Sequence, residues 1–294
     1  MNITAAMVKE LRERTGSGMM ECKKALVEAN GDLDAAIEQM RKSGLAKADR
    51  KSARTAAEGC ICAKSSDDGK KVAMVDVNCE TDFVAKGDAF NNFANAVAET
   101  VFENDVESID QLLGTALANS GRSVDEVRRE LVAKLGENIT IRRFEKFATA
   151  EGSTSYYLHG SRIGVIVDMS GTDEEVGKDI AMHIAASKPL CVAETDVPVE
   201  TIDKEKEIFA AQAEASGKPA EIIEKMVAGR MKKFLAGITL LGQPFVKDPD
   251  VTVGKLLESK RLSVLRFSRF EVGAGIEKKE ENFAEEVMAQ VRGA

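Results

Sequence analysis

The stretch of this chain nearest to a phosphate-binding loop is Gly171-Thr172-Asp173-Glu174-Glu175-Val176-Gly177-Lys178-Asp179. A phosphate loop cradles anionic oxygens with backbone N–H groups and a lysine, and its last residue supplies a hydroxyl to magnesium. Here the glycines stand one residue too far apart, Asp179 replaces the hydroxyl, and Asp173, Glu174 and Glu175 would repel phosphate. The stretch reads as an acidic helix start. Gly16-Ser17-Gly18 and Gly273-Ala274-Gly275 lack the third glycine of a dinucleotide fingerprint and read as turns. His159 and His183 could move protons, but nothing in the sequence pairs either with a nucleophile or a carboxylate. Cys22, Cys60, Cys62, Cys79 and Cys191 form an odd set without disulfide spacing, and neither histidine lies near the one close pair. Reduced structural thiols are expected, with no metal and no cofactor. The inventory points to a protein that is not an enzyme and does not itself bind nucleotide.

A different chemistry, that of contact, is offered by Asp76-Val77-Asn78-Cys79-Glu80-Thr81-Asp82-Phe83-Val84-Ala85-Lys86. One reading is a strand end and a turn, with Thr81 or Asp82 satisfying backbone donors and Phe83 tucked into the core. The other is an Asp-Phe pair that protrudes. From the residues alone the two stand even.

The elements that must carry this segment follow from the apolar period. Residues 1–44 form three short helices: Thr4 caps the first, with Ala5, Val8 and Leu11 on its face, Gly16 and Gly18 break it from Met19–Ala29, and Asn30-Gly31 precedes Asp32, which caps Leu33–Lys42. Such a bundle, of the ubiquitin-associated type, is too small to enclose a pocket and suits binding. A basic, alanine-rich linker is expected over 45–57. Residues 58–149 then change period: Gly59–Lys64 and Lys71–Val77 form a hairpin through Asp67-Asp68-Gly69. An amphipathic helix carries Phe90, Phe93, Ala94, Val97 and Val101, Ser123 and Glu126 make a capping box for a helix ending at Gly136, and a strand follows over Ile139–Ala148.

At an offset of 91, Gly160, Arg162, Ile163, Ile166, Thr172 and Asp173 repeat Gly69, Lys71, Val72, Val75, Thr81 and Asp82. The repeat predicts two related α+β subdomains, 58–149 and 150–197 with 237–272, the second rejoined by a strand over Ser263–Val272. Its second copy places Glu174 where the first has Phe83, a change that a shared core-filling role would not tolerate. Residues 198–236 are charged and helical, interrupted at Ser216-Gly217-Lys218-Pro219. They predict an antiparallel hairpin with a thin seam of Ile202, Phe209, Ala213, Ile222, Met226 and Phe234, projecting from the core and leaving self-association into a homodimer open. A C-terminal helical module is expected over 273–294.

The net charge of −8 disfavours stable binding to nucleic acid. Residues 1–54 carry 11 Lys/Arg against 8 Asp/Glu, net +3, which leaves −11 on the remainder. The run Lys47, Arg50, Lys51 and Arg54 reads first as a solvated surface. No apolar stretch is long enough to span a membrane, and Met1-Asn2-Ile3-Thr4 lacks the character of a signal peptide, so a cytoplasmic protein is expected.

The segment from Leu11 to Leu26, Leu-Arg-Glu-Arg-Thr-Gly-Ser-Gly-Met-Met-Glu-Cys-Lys-Lys-Ala-Leu, resembles the N-terminal signature of the bacterial elongation factor Ts family, and Asn78–Lys86 resembles its second signature, with Asp76 where the family generally has Glu. Similarity continues through His159–Gly164, Ile184–Pro189, Gly229–Phe234, Gly242–Phe245 and Arg269–Gly273, across essentially the whole chain. The resemblance implies a guanine-nucleotide exchange factor that binds elongation factor Tu in its GDP-bound and nucleotide-free forms. It implies that Thr81, Asp82, Phe83 and Val84 disturb the partner's magnesium and phosphate site. His159 would make a second contact near the partner's nucleotide, Arg12, Met19 and Met20 would form an N-terminal contact surface, and the final helix would add a clamp.

Overall fold

The computed structural model describes residues 3–215 and 219–277. Three helices open the chain, α1 (Ala5–Thr15), α2 (Met19–Glu28) and α3 (Leu33–Lys51). The Thr4 hydroxyl accepts from the Met7 N–H, Gly16 ends α1 at φ 66°, and the Asp32 carboxylate accepts from the Asp34 and Ala35 N–H groups. Val8, Leu11, Cys22, Ala25, Leu26 and Ala36 close a small core of their own.

The first half of the core follows: β1 (Glu58–Ser65), β2 (Lys71–Cys79), the single turn α4 (Asp82–Ala85), α5 (Asp88–Glu103), α6 (Ile109–Gly114), α7 (Val124–Leu135) and β3 (Thr140–Ala148). The second half comprises β4 (Ser153–His159), β5 (Ile163–Met169), α8 (Glu174–Ser187), the helical pair α9 (Val199–Glu214) and α10 (Ala220–Ile238), a ribbon of β6 (Pro244–Phe245) and β7 (Asp248–Thr252), α11 (Val253–Ser259) and β8 (Val264–Glu271). Two three-stranded antiparallel sheets result, ordered β1-β2-β3 and β4-β5-β8. The chain is thus a mixed α+β protein.

Alternation along the central strands builds the layers. Ala73, Val75, Val77 and Cys79 of β2 face Phe90, Phe93, Ala94, Val97 and Val101 of α5, while Val72 and Met74 turn to the other sheet. Likewise Val165, Val167 and Met169 of β5 meet Ile180, Ala181 and Ile184 of α8, and Ile166 points back to the first sheet. Both faces of both central strands are therefore covered, which explains their nearly unbroken apolar runs.

The sheets join by reciprocal contacts. Arg143 of β3 pairs with buried Asp76 of β2 at 3.0 Å and lies 4.3 Å over the ring of Phe270, from the opposite sheet. Arg266 of β8 pairs with buried Asp168 of β5 at 3.0 Å and lies 4.2 Å over Phe147 of the first sheet. Each hairpin turn also bonds the other sheet: the Ile61 N–H donates to Ser161 O at 2.8 Å, and the Thr154 N–H to Gly69 O at 2.6 Å. Asp168 stands one position beyond the 91-residue offset from Asp76, and at that offset Val75 and Ile166 face opposite sides of their strands, as do Val72 and Ile163, so the structural repeat runs one residue out of the register that the sequence suggested. At Gly164 a Cβ would stand 2.5 Å from Ile61 Cγ2 and 2.7 Å from Met74 Sδ. Gly164→Ala is therefore expected to lower stability by about 1–3 kcal/mol through overpacking. The denaturant midpoint should fall with unchanged slope, and an unchanged midpoint would contradict this close approach.

Three details depart from the sequence reading. Helix α3 does not stop at Lys42 but runs to Lys51, through the first part of the expected 45–57 linker. Gly44 lets the helix approach α7 instead of breaking it, since a Cβ there would lie 3.1 Å from the Ala133 Cβ, and Ala48 joins the first core. In the pair α9–α10 the seam uses Ile223, Val227 and Met231 beside Ile202, Phe209, Ala213, Met226 and Phe234, whereas Ile222 is exposed, one helical step off the buried stripe. Phe209 and Phe234 meet edge to face at 6.2 Å, and Pro198 and Pro219 start the two helices. The tip, 216–218, and most of the expected C-terminal module, 278–294, lie outside the described residues.

Candidate functional site

Strand β2 carries the chain to Cys79, and the next residues leave the sheet. Thr81 caps α4: its hydroxyl accepts from the Val84 N–H at 3.4 Å. The turn is amphipathic in miniature. Val84 and Ala85 pack against the first core, while Phe83 points away with 83% of its surface exposed. Lys86 reaches back to Asp82 at 2.6 Å, and this hydrogen bond holds the Asp82 carboxyl below the usual carboxylate range. Gly87 then starts α5. Of the two readings of Phe83, the structure takes the protruding one.

The turn is anchored from the far side of the first half. Glu137, just past the Gly136 cap of α7, accepts from the Glu80 and Thr81 N–H groups at 3.1 and 3.0 Å and from the Thr81 hydroxyl at 2.6 Å. In return Glu80 accepts from the Asn138 N–H at 2.6 Å. The Asn138 side chain donates to Arg54 O at 2.7 Å and Ser52 O at 3.3 Å, tying in the segment that descends from α3. Sequence reasoning missed Glu137 and Asn138; the only local signal was a glycine cap followed by two polar residues, a pattern shared by many helix ends.

The second repeat has no such turn. Asp173, not Thr172, caps α8 by accepting from the Val176 N–H at 3.1 Å, and Glu174 is already the first helical residue. The acidic helix start expected there is what the structure contains.

The remaining site residues lie on separate elements. Arg12 is exposed on α1, and Met19 and Met20 open α2 as exposed apolar side chains. His159 ends β4, exposed, with Nδ1 3.1 Å from the Tyr157 hydroxyl. The structure gathers Thr81–Val84 into one turn and leaves the bundle residues and His159 as distinct patches. His183 is structural: on the buried face of α8, its Nδ1 accepts from the Val246 N–H at 3.1 Å and its Nε2 donates to Gln243 Oε1 at 3.0 Å, while burial lowers its pKa below the ordinary imidazole value. The five cysteines are free thiols, and burial, together with the nearby Glu137 charge, pushes Cys79 up to about 12. Among the described residues no group of three or more His, Cys, Asp and Glu could hold a metal ion, and no helix is long and apolar enough to cross a membrane.

An exposed aromatic on a braced one-turn helix and exposed methionines on a small bundle are side chains of the types enriched where proteins meet macromolecules. The family model described as Elongation factor TS matches residues 80–274, more than half of the chain. Elongation factor Ts of Methylococcus capsulatus is 67% identical over 294 residues, covering 100% of both chains, and that of Thioalkalivibrio sulfidiphilus is 64% identical over 295 residues, again covering 100% of both. That of Alkalilimnicola ehrlichii is 60% identical over 294 residues, with the same complete coverage. The chain belongs to the elongation factor Ts family.

Proposed function

We propose that the chain is a guanine-nucleotide exchange factor for elongation factor Tu, acting by contact and without chemistry of its own. The exposed ring of Phe83 on α4 carries this reading. Phe83 enters the GTPase beside its nucleotide site with Asp82 as its polar companion, Thr81 and Val84 hold the turn that presents them, and the intrusion displaces the partner's magnesium and loosens its grip on phosphate. Arg12, Met19 and Met20 hold a second surface of the GTPase, and His159 a third, closer to the nucleotide. The factor engages the GDP-bound form, GDP leaves, and GTP enters the nucleotide-free complex.

The energetics require only differential binding. A factor that prefers the empty GTPase weakens nucleotide binding by the same ratio, by linkage. A ten-thousandfold acceleration of release corresponds to about 5.5 kcal/mol, a sum that one buried aromatic anchor and a few broken phosphate contacts can supply. The test is the release of a fluorescent GDP from elongation factor Tu, timed with and without the chain at increasing concentrations. A saturable acceleration is expected; equal release rates at all concentrations would end this reading.

A further inference from the structure

We propose that Glu137 is the positioning residue of the exchange element: its carboxylate sets the direction in which α4 presents Phe83. The inference rests on the reading of Phe83 as the wedge. Glu137 lies 56 residues beyond Thr81, in the turn after α7, yet both of its oxygens are committed to the wedge's base. Oε2 accepts from two consecutive backbone donors, Glu80 and Thr81, at the point where the chain leaves the sheet, and Oε1 accepts from the Thr81 hydroxyl. That hydroxyl is also the cap of α4. By donating to Glu137, Thr81 Oγ1 turns a lone pair towards the Val84 N–H, so a continuous relay runs from Glu137 through Thr81 into the turn that holds Phe83.

The relay matters because, although Val84 and Ala85 seat the back of α4 on the core and Asn91 holds its end at Ala85 O, the start of the turn, where Phe83 leaves, is held by Glu137. Helix α4 is four residues long and contains no fully buried side chain. A wedge that wanders must be ordered on docking, and that cost reduces the strain it can exert on the partner. The choice of a carboxylate is chemical: all three partners donate, and a glutamine would offer one oxygen and turn an amide N–H₂ on the others.

The experiment uses the full-length chain and fluorescent GDP release from elongation factor Tu, measured over a range of factor concentrations for the unaltered protein, Phe83→Ala, Glu137→Gln and the double variant. Melting curves accompany each protein. Glu137→Gln is expected to lower the limiting release rate roughly tenfold, the scale of one charge-assisted hydrogen bond, while the half-saturating concentration moves less than about twofold. In the Phe83→Ala background the same substitution should change release by less than about twofold, because no wedge remains to be aimed. Release by Glu137→Gln at the unaltered rate, or an equal loss in both backgrounds, would overturn the proposal and leave Glu137 a purely structural group. Should Phe83→Ala itself release GDP at the unaltered rate, the wedge reading fails first, and that outcome is visible in a different variant. If Glu137→Gln melts below the assay temperature, Thr81→Val cuts the relay at its next link and is read against Phe83→Ala in the same way.

Discussion

Phe83→Ala is expected to slow nucleotide release from elongation factor Tu by roughly 30- to 100-fold, the equivalent of about 2–3 kcal/mol lost from an aromatic hot spot. Stability should be unaffected. The ring is exposed, and its removal leaves Val84 and Ala85 of the same turn packed on the core. Release kinetics and thermal melting together separate the contributions. A melting temperature several degrees lower, with release intact in the folded fraction, would show that the side chain belongs to the core and that the wedge lies elsewhere.

Phe90→Ala, seven positions along, should do the reverse. Phe90 is fully buried in the first turn of α5, against Val75 and Val77 of β2 and the other apolar residues of that core. Truncating it removes the ring and leaves a cavity that a sheet buried on both faces cannot collapse to fill, at a cost of about 3–5 kcal/mol. Urea unfolding should register the loss directly, while molecules that remain folded should release GDP at the unaltered limiting rate. A small change in the unfolding midpoint would mean that the α5–sheet interface repacks far more readily than its close packing implies. Two phenylalanines in one short segment thus separate docking from folding.

Phe90 was legible as a core residue from the helical period it shares with Phe93, Ala94, Val97 and Val101, whereas Phe83 stood even between core and surface until the exposed ring decided it. The helix caps Thr81 and Asp173 are equivalent in the structure, an offset of 92, so the counterpart of Phe83 is Glu175 and not the Glu174 that the sequence alignment offered. Capping residues were legible for a local reason: Thr4, Asp32 and the Ser123–Glu126 box each satisfy donors within three residues. Features set by distant chain were not legible. Gly44 looks like a stop signal until Ala133 is seen to lie against it, and Glu137 looks like a surface carboxylate until the turn at Thr81 is brought to it. The reciprocal stacking of Arg143 on Phe270 and Arg266 on Phe147 was hidden for a similar reason: arginines on strands ordinarily face water, and only the apposition of two sheets turns them into a clamp. The seam of α9 and α10 was found on the α9 side through Ile202, Phe209 and Ala213, but on α10 the buried Val227 and Met231 were missed, and the phase at Ile222 and Ile223 depends on which helical face meets the neighbour, for which two adjacent isoleucines give no preference.

The pairing of β8 with β5 bears on how the chain is made. The first sheet has all three of its strands once Ala148 has been synthesised, whereas Ile163 of β5 waits for Glu271 before its outer edge is closed. The intervening stretch of about a hundred residues takes roughly 5–20 s to translate at 5–20 residues per second. Throughout that interval the growing polypeptide exposes an apolar strand edge, a form prone to pair with other chains. The finished first half can cover the inner face of β5 through Ile166, but the hydrogen-bonding edge of that strand stays open until β8 pairs with it.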